Sequence, residues 1–195
     1  PSYQVRVKEV EQSHICMGVK GVPQEDKLYF PMILMNSIVG GSMSSRLFQN
    51  IRERQGLAYA VFSELSAYRD TGCLSVYAGT SLETCRQVIQ LILEEFRQMK
   101  QELVSPEELR RAKDHLKGSM MLGLESTSNR MANLARQALY FGRFISLDEM
   151  LTSIEKVTAE EVQRLAQELL DHRHIALTVL GNLEGFRVGR EELVC

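Results

Sequence analysis

Residues 58–79 read AYAVFSELSAYRDTGCLSVYAG. Apolar and polar side chains alternate through 58–68 and again through 72–79. Period two marks a strand with one buried face. Between the two runs, Arg69-Asp70-Thr71-Gly72 is turn chemistry. The stretch therefore reads as an antiparallel hairpin, with Leu74, Val76 and Ala78 on its core face.

The same period recurs at both ends of the chain. Val5 and Val7 share one strand face, and Ile15, Met17 and Val19 share another beyond the polar pair Gln12-Ser13. His174–Leu180 alternates as well, with Ile175, Leu177 and Val179 on one side and Gly181-Asn182 closing it.

Between the strands the period changes to that of helices. In 24–39, Leu28, Met32, Met35 and Val39 fall at spacings of 4, 3 and 4, and Ile33, Leu34 and Ile38 widen the stripe. Pro31 must kink this helix or sit in its first turn. After Gly40-Gly41, Ser42 is expected to cap a second helix carrying Met43, Leu47 and Ile51, which Gly56 stops. Ser81 is expected to cap a helix whose stripe runs from Leu82 and Cys85 to Phe96. Ser128 is expected to open one with Met131, Leu134, Ala135, Ala138 and Leu139 apolar. Ser105-Pro106-Glu107-Glu108, Ser146-Leu147-Asp148-Glu149 and Thr158-Ala159-Glu160-Glu161 have the form of capping boxes. Strands in two groups with helices massed between them predict an α+β fold, a mainly antiparallel sheet with helices packed on one face.

The chain has 195 residues, 44% hydrophobic and 25% charged, with a formal charge of −2. No linker, repeat or low-complexity segment divides it, so residues 1–195 are expected to form a single domain. The near-neutral charge argues against a nucleic-acid partner. No apolar run approaches the ~18 residues of a membrane span. The N-terminus lacks a signal-peptide pattern and does not open with Met, as expected of a chain processed or cut from a longer one. Cys16, Cys73, Cys85 and Cys195 form no CxxC pair. They read as reduced thiols in a cytoplasmic protein.

Chemistry is sparse. The four histidines, His14, His115, His172 and His174, fit neither HExxH nor HxxEH, so no intrinsic metal site is expected. His172-Arg173-His174 reads as a surface junction. No GxSxG elbow and no P-loop occur. The carboxylate pairs Glu107-Glu108 and Glu160-Glu161 lie in first helical turns, where they complement the helix dipole.

One segment stands apart, 40–62, GGSMSSRLFQNIRERQGLAYAVF. Its run Gly41-Ser42-Met43-Ser44-Ser45-Arg46-Leu47-Phe48, then Ile51-Arg52-Glu53 and Gly56-Leu57-Ala58-Tyr59, resembles the C-terminal homologous domain of the M16 zinc peptidases. That group includes mitochondrial processing peptidase, pitrilysin and insulin-degrading enzyme. Glu125–Met131, the Ile154–Leu165 stretch with Val157-Thr158, and the closing Val179-Leu180-Gly181 are similar too. The resemblance runs from about Lys8 to Gly181 and is specific, because several ordered motifs agree.

The resemblance implies one half of a clamshell. In that family an N-terminal domain carries HxxEH and the zinc, while the C-terminal domain lacks the motif and faces the site across a chamber. No residue of this chain is then catalytic by itself. It holds no cofactor, and zinc is expected in the N-terminal half. The family's Arg and Tyr that reach the scissile region map onto Arg52 and Tyr59 within the pattern LxxxIRxRxGLAYxV. A guanidinium and a phenol O–H are fitting donors to an oxygen that gains negative charge. Without the family, the two would read as an exposed helix Arg and a core strand Tyr; Arg46 and Arg54 read either as part of the same basic surface or as a solvated helix face. The implied partners are a peptide substrate and the N-terminal zinc domain. Self-association into a homodimer is expected if the surface matched to that domain is left open. The alternative within the family is a non-catalytic scaffold subunit. A generic α+β binding module would show Arg52 and Tyr59 pointing in unrelated directions.

Overall fold

The 58–79 hairpin anchors the sheet in the computed structural model, which describes residues 2–195. Its strands β3 (Ala58–Ala67) and β4 (Gly72–Thr80) pair antiparallel, and β4 pairs antiparallel with β2 (Ser13–Gly21). The last strand, β5 (Ala176–Gly181), lies antiparallel to β2 on its other side. The first strand, β1 (Ser2–Val7), lies parallel to β5 at the sheet edge. The order is β1-β5-β2-β4-β3, so the mainly antiparallel α+β architecture expected from the sequence is present.

Among the described residues, six α-helices accompany the sheet: α1 (Tyr29–Val39), α2 (Leu82–Gln101), α3 (Pro106–Gly123), α4 (Thr127–Phe141), α5 (Leu147–Lys156) and α6 (Ala159–Leu169). Leu74, Val76 and Ala78 are buried against them, as are Ile15, Met17, Ile175, Leu177 and Val179. On the helix side, Met32, Met35, Ile89, Ile92, Phe96, Val162 and Leu165 complete the core. The alternate residues Cys16, Cys73 and Thr178 are exposed on the other sheet face. No helix among the described residues is long and apolar enough to cross a membrane.

Several local expectations are corrected. The first helix begins at Tyr29, because Asp26 Oδ1 accepts the Leu28 N–H at 2.8 Å and holds the preceding residues in a turn. Pro31 thus sits in the first turn, where a missing N–H costs nothing. The second helix starts at Arg46, not after Ser42. Ser45 Oγ donates to the Ser42 carbonyl at 2.6 Å, a local bond that competes with helix and leaves Met43 exposed. From Phe48 to Arg54 this segment is π-helical. α4 is capped by Ser126 rather than Ser128. Only Thr158 forms the full reciprocal capping box. At the other two sites the glutamate is drawn off by an arginine, Glu108 to Arg46 and Glu149 to Arg143.

Candidate substrate-binding groove

Two tight backbone features build the groove. At the end of α1, the Gly40 carbonyl accepts the Ser63 N–H of β3 at 3.0 Å. A Cβ on Gly40 would lie 2.6 Å from that nitrogen, so only glycine permits the approach. Ser63 Oγ donates to Asn36 Oδ1 at 2.7 Å, a second tie between helix and strand.

The π-helical segment forms the opposite wall. Leu47 and Ile51 are buried, while Phe48 and Arg52, four residues apart, face outward together. The segment ends on Gly56 at φ 62°, a left-handed conformation that suits glycine. The Leu57 N–H reaches back to the Ile51 carbonyl at 2.9 Å, and the chain turns into β3.

The first residues of β3 carry a β-bulge. Ala58 pairs with Thr80 and Ala60 with Gly79, which leaves Tyr59 without a cross-strand partner. The bulge shifts the alternation by one residue. Ala58 and Val61 both point inward, and Tyr59 is turned out, 77% exposed. Strict alternation would have set Tyr59 beside Val61 in the core.

Arg52 and Tyr59 are therefore brought together. The guanidinium carbon lies 6.0 Å from the Tyr59 ring centroid and 4.9 Å from that of Phe48. Arg52 has one loose acidic neighbour, Glu53, at 4.0 Å, and its side chain is 43% exposed. Its donors are thus open to a ligand. Beside them runs a groove of about 410 Å³, walled by Met43, Phe48, Arg52, Phe62 and Glu64. Phe62 stacks near Tyr77 at 5.1 Å between centroids, and Tyr77 Oη is hydrogen-bonded to His14 Nδ1 at 2.8 Å. The groove thus offers apolar walls with cationic and phenolic donors beside them.

Arg46 and Arg54 do not join this surface. They line a separate polar cavity behind the π-helical segment, together with Asn50 and Glu95. Arg46 binds Glu108 through two hydrogen bonds of 2.8 and 2.7 Å, which hold its pKa above the ordinary value. Asn50 donates to Glu95 and accepts from Arg54 at 3.0 Å. Glu95 is buried with Oε2 unpartnered, and burial raises its pKa against the opposing pull of Asn50 and Arg46. This network braces the segment that carries Arg52.

Phe48 and Phe62 are aromatic groove residues that sequence reasoning did not select. A signal existed for each: Phe48 precedes Arg52 by one helical turn, and Phe62 is opposite Tyr77 in the hairpin register. Among the described residues, no group of three or more His, Cys, Asp or Glu is placed to hold a metal ion.

Residues 1–116 match the model of the family described as "Peptidase M16 inactive domain". An uncharacterized zinc protease of Bacillus subtilis is 38% identical over 180 residues, 91% of this chain and 44% of the relative. One from Streptomyces coelicolor is 35% identical over 183 residues, 94% of this chain and 40% of the relative. The chain spans less than half the length of these curated relatives. Among solved structures, a peptidase M16 inactive domain from Pseudomonas fluorescens superposes with a TM-score of 0.84 at 22% identity, covering 92% of this chain and 43% of that one. A chain of Complex III from Candida albicans gives 0.87 at 19% identity, covering 100% and 49%. These two likenesses concern the fold.

Proposed function

The chain belongs to the peptidase M16 family, and from that premise we propose that it is the zinc-free half of an M16 endopeptidase, acting on a peptide bound along its groove. Its partner is the metal-bearing N-terminal half, which supplies what the described residues do not hold. This chain acts as one domain that binds and orients an extended peptide. It presents Arg52 and Tyr59 to the carbonyl oxygen that becomes negative as the peptide carbon turns tetrahedral. A phenol O–H and a guanidinium N–H strengthen their hydrogen bonds as that charge grows, and such donors lower the barrier rather than simply holding the ground state. Phe48 stacks under the guanidinium and limits its freedom, so less order must be created during reaction. The apolar walls of Met43 and Phe62 suit a hydrophobic side chain next to the reacting bond.

One observation carries the reading: the bulge turns Tyr59 out of the core and sets it beside Arg52. A structural tyrosine would have no need of it. The test uses this chain assembled with a zinc-bearing M16 half. Tyr59→Phe is expected to lower kcat roughly 10²–10³-fold, about 2.7–4 kcal/mol, with little change in KM. Arg52→Lys is not expected to rescue Arg52→Ala fully, because the ammonium lacks the planar fork. Unchanged kcat in both Tyr59→Phe and Arg52→Ala overturns the reading and favours a scaffold role.

A further inference from the structure

Helix α4 is packed inside out. Met131, Leu134, Ala135 and Ala138 fall at i, i+3, i+4 and i+7, the spacing of a core-facing stripe. All four are exposed, Met131 at 69% and Leu134 at 51%. The side turned to the body carries Asn133, Gln137 and Tyr140 instead, with Gln137 the one buried residue of the helix. Gln137 Oε1 accepts the Ile145 N–H at 2.8 Å. That donor fixes the amide orientation and leaves Nε2 buried without a partner.

The outward stripe does not stand alone. Leu134 shares a groove of about 470 Å³ with Met121 at the end of α3 and with Phe144 beyond α4. Leu122 and Leu139 add further exposed apolar surface, 69% and 78% open. Large apolar side chains gathered in the open on one helix and its neighbours mark a contact surface.

We infer that this face of α4, with Met121, Leu122 and Phe144, is where the metal-bearing half docks. The inference rests on the two-half reading above and names the surface that reading requires. Two observations favour that occupant. The relatives are more than twice as long as the part this chain matches, so each has length enough outside it for a second unit of comparable size. The helix also carries Arg130 and Arg136 and no Asp or Glu. An isologous contact between two copies of α4 would set arginine against arginine, whereas a different partner can offer carboxylates.

The test mixes this chain with the portion of the Bacillus subtilis relative that it does not match, produced as a separate chain. The two should co-elute, and oxidation of Met121 and Met131 by peroxide should slow about fivefold or more in the complex. Leu134→Glu with Leu139→Glu should weaken the complex about tenfold or more. The same pair should leave the Tm of this chain alone within about 2 °C, since both side chains are already in water. No co-elution, or Met121 and Met131 oxidised at the free rate within a complex, overturns the inference. Protection that appears in this chain alone as its concentration rises assigns the face to a second copy and also overturns it. A complex that protects both methionines yet hydrolyses no peptide leaves the docking face standing and removes the peptidase reading. Hydrolysis without protection does the reverse.

Discussion

Helices α4 and α6 carry the same apolar pattern and face opposite ways. In α6, Val162, Leu165, Ala166 and Leu169 fall at i, i+3, i+4 and i+7 and all are buried. In α4 the same spacing, Met131 to Ala138, is exposed. Spacing therefore fixes that a helix forms and how wide its stripe is. It does not fix which way the stripe points. The roll of α4 is set by polar ties: the Ser126 cap, Asn129 Nδ2 donating to the Gly123 carbonyl at 3.1 Å, and Gln137 on Ile145. α6 serves the chain's own core, and α4 offers its apolar side to something else.

The contrast can be broken most directly by truncating matched leucines. Leu165→Ala is expected to destabilise the chain by about 2–5 kcal/mol through lost burial and a residual cavity. Leu134→Ala should stay within about 0.5 kcal/mol. Urea melts of the two variants decide it, and comparable losses would mean that α4 contributes to the core after all. The groove rim belongs on the α6 side of this contrast. Gly40→Ala must push a methyl to 2.6 Å from the Ser63 nitrogen and is expected to cost about 1–3 kcal/mol. A neutral Gly40→Ala would show that the α1–β3 junction yields as easily as the surface of α4.

The smallest effect separates the two regions by pH. Each holds one buried polar atom without a partner, Glu95 Oε2 near the groove and Gln137 Nε2 in α4, and only the first can titrate. Burial raises the Glu95 pKa above its ordinary 4.5, so between that value and the raised one the folded chain binds more protons than the unfolded chain. Its contribution is fully present below about pH 4.5 and is lost as pH rises through the folded value. Glu95→Gln should therefore flatten the decline, with a small gain in stability at pH 8 relative to the parent. Gln137→Met should not change the slope. Parallel pH profiles for the parent and Glu95→Gln would remove Glu95 as the source.

The fold was legible where one residue type has one use. Alternation located the hairpin and β5, and stripes located α1 and α2, because those side chains have nowhere to go but the core. Arg52 and Tyr59 were legible through the segment around them, and so was the glycine turn that brings them close, but the outward turn of Tyr59 was not. It depends on a one-residue bulge, and alternation assumes that none exists. The π-helical turn is equally silent in composition. The half-formed capping boxes at Ser105 and Ser146 show a different limit. Glu108 and Glu149 satisfy the local pattern, yet Arg46 lies 62 positions away in sequence and wins the first, and Arg143 wins the second. Charge pairing across the fold outbids a local bond that sequence can see.

The placement of β5 has a consequence in time. It is the last of the five strands in chain order, yet it fills a slot between β1 and β2, the first two of the five. As the chain leaves the ribosome, β3 and β4 can close their hairpin and β4 can pair with β2, but the outer backbone edge of β2 from His14 to Gly18 waits unpaired until residues 176–180 arrive. Residues 81–175, most of them helical, must be synthesised in that interval, and an open edge that includes Ile15 and Met17 is a template for pairing with another nascent chain. Translation speed through the helical stretch, and any early stop before Ala176, should thus govern the yield of folded protein more than the stability of the finished molecule does.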